Sequence, residues 1–88
     1  MNTMPQPTPP KLDLYSYEQA QRIKELLSYH LGEPFFFGHQ TQERHVLVLI
    51  QIIPCKDDNF YRINLVAQGA FLPVQQFCLL NDFNLPDL

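Results

Sequence analysis

The sequence predicts a single small α+β domain of order α-β-β-β-α, a three-stranded antiparallel meander with both helices packed on one face. Three observations predict it. Apolar residues recur at helical spacing from Tyr17 to Leu31. A β-branched run over 45–53 and an alternating run over 60–68 follow. Clusters of turn-forming residues separate these segments.

Of the eight prolines, Pro5, Pro7, Pro9 and Pro10 crowd the N-terminus, so residues 1–11 read as a disordered proline-rich arm with polyproline II character. Its segment Pro7-Thr8-Pro9-Pro10 fits the PxxP pattern that aromatic-grooved modules bind. The folded domain is assigned to 12–83 and a flexible tail to 84–88. Ser16 is a natural N-cap, and Gln19 three residues on completes a capping box. Ala20, Ile23 and Leu27 then form one apolar stripe. Gly32 ends the helix, and Glu33-Pro34 bars its continuation.

Phe35-Phe36-Phe37 opens a first strand reaching to about Gln40. Thr41 to Arg44 is a polar turn, and His45 to Ile53 is a central strand. Residues 54–59 turn by composition, with Asp57 and Asp58 as turn formers. Phe60 to Gln68 alternates between faces until Gly69. Pro73 starts a short second helix whose apolar face is Val74, Phe77 and Cys78.

Placing Ile53 opposite Phe60 sets Ile52 against Tyr61, Ile50 against Ile63, Val48 against Leu65 and Val46 against Ala67, all on one face. Pairing Gln40 with His45 adds Phe35 and Phe37 to that side. A helix about 10 Å wide covers roughly two strands 4.8 Å apart, so both helices are needed there. The second face is left uncovered. It carries Phe36, Leu47, Leu49, Ile53, Phe60 and Val66 as candidate contacts, with Arg62 and Asn64 setting orientation.

Composition excludes several functions. The net charge is −3, the six basic residues are scattered, and none follows Gly69, so no cation cluster exists to bind a nucleic-acid backbone. The element order also occurs in double-stranded-RNA-binding domains, but the basic second helix they use is here an uncharged and acidic segment. The longest apolar run, 46–53, falls far short of the ~20 residues of a transmembrane segment. Met1 to Pro7 has no signal-peptide pattern, and Cys55 and Cys78 read as free thiols of a reducing compartment, so a cytoplasmic location is expected.

No nucleophilic triad, phosphate loop or cofactor motif is present in the sequence, since Ser16 and Ser28 fall in the helix and the three glycines are dispersed. The resulting expectation is a non-enzymatic protein-interaction domain: an accessory, assembly or regulatory subunit that meets a protein partner or forms a homodimer through an apolar sheet face. The alternative is a small-ligand or metal-binding domain using His39, His45 and Cys55.

Overall fold

The first helix forms where the capping box places it. In the computed structural model, which describes residues 13–38, 43–56 and 59–85, α1 spans Tyr17–Ser28. The Gln19 amide donates to Ser16 Oγ at 3.1 Å, and the Ser16 amide donates to Gln19 Oε1 at 3.0 Å. Two of the helix's four orphan donors are thereby satisfied. The proline-rich arm, its PxxP segment, His39 and the Asp57-Asp58 pair lie outside the described residues.

After α1 come β1 (Pro34–Phe36), β2 (Arg44–Pro54), β3 (Tyr61–Ala67), β4 (Ala70–Pro73) and α2 (Val74–Leu80). The strands form one antiparallel sheet in the order β1-β2-β3-β4. The α+β class and the single helical face stand as expected. Among the described residues, however, the sheet has four strands rather than three. Gly69 ends β3 as predicted, but its φ of 83° closes a two-residue turn, and Ala70 pairs straight back onto Ala67. Pro73 then serves twice: it is the last residue of β4 and, at φ −60°, the N-cap of α2.

Two registers differ from expectation. β3 pairs with β2 two residues further on than predicted, Ile52 opposite Ile63 and Ile50 opposite Leu65. An even shift keeps every side chain on its face. β1 meets β2 at the start of β2, with Phe35 opposite His45, where the Gln40–His45 pairing would set Phe35 opposite Ile50.

The larger departure is a β-bulge. Leu47 lies opposite Ala67 and Leu49 opposite Val66, so Val48 is an extra residue. Strict alternation puts Leu47 on the outer face with Leu49. The bulge breaks the period, and Leu47 turns inward with Ile50.

One core lies between the sheet and the two helices. Ala20, Ile23 and Leu27 of α1 and Val74, Phe77 and Cys78 of α2 bury against Leu47, Ile50, Ile63, Leu65 and Ala67. The phenylalanine run belongs mostly to this core. The rings of Phe35 and Phe37 meet Phe77 edge-on at 4.9 and 5.7 Å between centroids. Leu85 also packs against the core, so ordered packing continues past residue 83.

Candidate functional site: the outer sheet face

Both helices pack on the inner face, α1 over β2 and β3 and α2 over β3 and β4. Nothing among the described residues covers the outer one. Reading outward residues across the strands gives a continuous apolar band. Pro34 of β1 adjoins Val46 of β2, and Leu49 of β2 adjoins Val66 of β3, which adjoins Phe71 of β4. Val48 and Leu49 both face outward at the bulge, 54% and 46% exposed, and Phe71 is 63% exposed. The β2–β3 end is mixed, with Ile53 opposite Arg62 and Gln51 opposite Asn64.

Of the eight residues expected on this face, seven are accessible. Leu49, Ile53, Phe60 and Arg62 are exposed, and Phe36, Asn64 and Val66 are half-buried. Leu47 is a correction: it is fully buried, for the reason the bulge supplies. Phe36 is partly roofed by Arg44, whose guanidinium carbon sits 4.9 Å from the ring centroid. Phe71, Val46 and Val48 belong to the band although the sequence reading placed none of them there. Phe71 alternates with Ala70 and Leu72, but Gln68-Gly69 is not one of the dipeptides that mark a two-residue hairpin, so the sequence signal for it is weak.

Two devices close the margins of the sheet. Asn81, just past α2, presents its carboxamide to β1: the Phe36 amide donates to Asn81 Oδ1 at 2.8 Å, and Asn81 Nδ2 donates to the Phe36 carbonyl at 2.9 Å. The same Nδ2 donates to the Phe77 carbonyl at 3.0 Å. This side chain does the work of a fifth strand for one residue. On β3, Tyr15 exchanges both backbone bonds with Tyr61, at 2.9 and 2.8 Å.

Tyr15 also anchors the only described cluster of perturbed titratable groups. Its hydroxyl donates to Asp13 Oδ1 at 3.1 Å, and Gln75 Nε2 donates to the Tyr15 hydroxyl. Burial raises the Asp13 carboxyl above its ordinary 3.8, against the lowering pull of Tyr15, the Gln75 backbone and Arg62. Burial also pushes the Tyr15 phenol up to about 12 and the Cys78 thiol up to about 11, with the Asp13 charge adding to both. A general base or nucleophile at neutral pH needs ionisation made easier, and here it is made harder for the phenol and the thiol. The cluster acts as a latch between the chain before α1 and α2.

Of the alternative site's residues, His45 and Cys55 are not brought together, and His39 lies outside the described residues. His45 and Cys55 lie at opposite ends of β2, ten positions apart, which is about 33 Å along a strand. His45 instead lies beside the Phe37 ring, at 6.2 Å between centroids. Among the described residues no three metal-ligating side chains converge. Among the described residues no helix is long and apolar enough to cross a membrane. No protein-family model, curated protein or solved structure matches the chain.

Proposed function

We propose that this chain is a non-enzymatic protein-interaction domain, an accessory, assembly or regulatory subunit that binds a protein through the outer face of its sheet. The observation that carries the reading is the band Pro34, Val46, Val48, Leu49, Val66 and Phe71, which crosses all three strand pairings on a face that no described helix covers. Isolated exposed apolar residues, such as Tyr29 at the end of α1 and Leu79 on α2, carry no such meaning. A contiguous band bordered by Arg62, Asn64 and Gln51 has the apolar centre and polar rim of a contact surface. Cys55 and Cys78 are free thiols, which suits the reducing cytoplasm.

The test is a double substitution, Val46→Asp with Phe71→Asp, at two exposed positions. The variant should keep its circular dichroism and melting temperature, gain solubility, and lose proteins that the wild-type chain retains on an affinity matrix. Equal solubility and an identical set of retained proteins for both would refute the reading.

A further inference from the structure

We propose that the open edge of β2 pairs antiparallel with the same edge of a second copy of this chain, joining two four-stranded sheets across a two-fold axis. This goes beyond the outer-face reading and does not depend on it: the contact is a backbone edge of the sheet, and the partner is a second copy of the chain.

The ladder fixes which backbone groups are free. The Cys55 amide donates to the Phe60 carbonyl at 3.0 Å, beginning the β2–β3 hairpin. From there alternate residues point toward β3: Ile53, Gln51 and Leu49, opposite Arg62, Asn64 and Val66. Ile52 and Ile50 point the other way. On that side β1 covers Arg44–Val46, and Leu47 exchanges bonds with Gly32 and Glu33 at 2.9 and 3.0 Å. Beyond Leu47 the edge has no described partner.

This edge differs from the others in the sheet. Asn81 caps β1 at Phe36, and Tyr15 caps β3 at Tyr61. β4 directs Ala70 and Leu72 toward β3, so its outer edge has the Phe71 amide but ends on Pro73, which has no N–H. The β2 edge lacks these devices and carries no charge from Val46 to Pro54. Lysine, proline and bulges are the usual protection of an exposed edge. Here the bulge and Pro54 stand only at the two ends, and delimit an open run from Leu49 to Ile53.

That run complements itself. Turned antiparallel about Gln51, Ile50 faces Ile52 of the second copy, and Ile52 faces Ile50. Each pair exchanges two backbone bonds, four in all. On the outer face Leu49 meets Ile53, and the two Gln51 carboxamides meet on the axis. A one-residue slip opposes groups that point away from each other. A two-residue slip centres the pairing on Ile50 or Ile52 and drives it into the bulge or into Pro54. One register therefore satisfies the edge, and it is isologous. Five paired residues span only about 17 Å, so the dimer is weak and dissociates on dilution.

Sedimentation equilibrium of the full chain over a wide concentration range tests this. The wild-type mass should rise from one copy toward two. Gln51→Lys puts two ammonium groups opposite each other on the axis while altering only an exposed side chain, and should weaken dimerisation by up to about fivefold. Ile52→Pro removes an outward N–H without touching the β2–β3 ladder, and should abolish it. Val46→Asp with Phe71→Asp should leave it intact. A single-copy mass at every concentration would overturn the proposal, as would a dimer insensitive to Gln51→Lys. A dimer lost only in the Val46/Phe71 variant would overturn the edge contact while upholding the face. An edge dimer whose face variant retains the same proteins as wild type would do the reverse.

Discussion

Leu47 and Leu49 are chemically identical, two positions apart on one strand, and uninterrupted alternation would give them the same environment. Their truncations should nevertheless differ several-fold. Leu47 is 0% exposed, and Leu→Ala at such a site costs about 3–5 kcal/mol, the lost transfer energy plus the cavity left behind. Leu49 is 46% exposed, so about half of the roughly 1.5–3 kcal/mol of full burial is at stake and no closed cavity forms, leaving about 1 kcal/mol. A chain of 88 residues has roughly 4–13 kcal/mol in total, so both variants can be measured. At about 4–8 °C per kcal/mol, Leu47→Ala should lower the melting temperature by more than about 12 °C and Leu49→Ala by less than about 8 °C. Urea unfolding at low protein concentration reads the same difference without a contribution from association. Equal losses for the two would mean that the bulge is absent and that the outer face has been misassigned.

Three further outcomes follow from the described contacts. Asn81→Ala removes three hydrogen bonds from half-buried groups, at about 0.5–1.5 kcal/mol each, and should cost about 2–4 kcal/mol in urea unfolding; a loss below about 0.5 kcal/mol would deny its role as an edge cap. Asp13 is held above 3.8, so its contribution to stability is complete below that pH and is lost as pH rises through the folded value. Asp13→Asn, which also tolerates the φ of 57° there, should therefore be more stable than wild type at neutral pH, with the gap closing in acid; a pH-independent gap would contradict this. Native protein should present one rapidly reacting thiol, Cys55, with Cys78 titrating only after unfolding, because Cys78 is buried and its thiol is pushed up to about 11. Two equally fast thiols would contradict that placement.

Much of this fold is legible in the residues, and the failures have physical causes. Ser16, Gln19 and the stripe Ala20, Ile23 and Leu27 specify α1 locally, because capping and 3.6-residue periodicity depend on near neighbours. β2 and β3 are also legible as elements. The bulge is not, because residues 46–50 are apolar without exception and fit the core in either phase. What decides the phase is the sum of distant contacts, Leu47 with Ala67 and Ile50 with Leu65. β4 is obscured by its flanking Gly69 and Pro73, both of which read as breaks. Asn81 looks like an ordinary polar residue after a helix, and its partner Phe36 lies 45 positions away. That one face lacks a described helix is legible because it depends on counting helices against strands, which survives errors of register, whereas the placing of Leu47 on that face does not survive the bulge.

The amides of Ile50 and Ile52 give the most direct reading of how this sheet is used. Hydrogen exchange measured residue by residue on dilute and concentrated protein should show both exchanging quickly when dilute, between slowly exchanging Leu49, Gln51 and Ile53, and becoming protected as concentration rises. Rapid exchange at both residues at every concentration, or protection that is already complete at high dilution, would contradict an edge left open for a second copy.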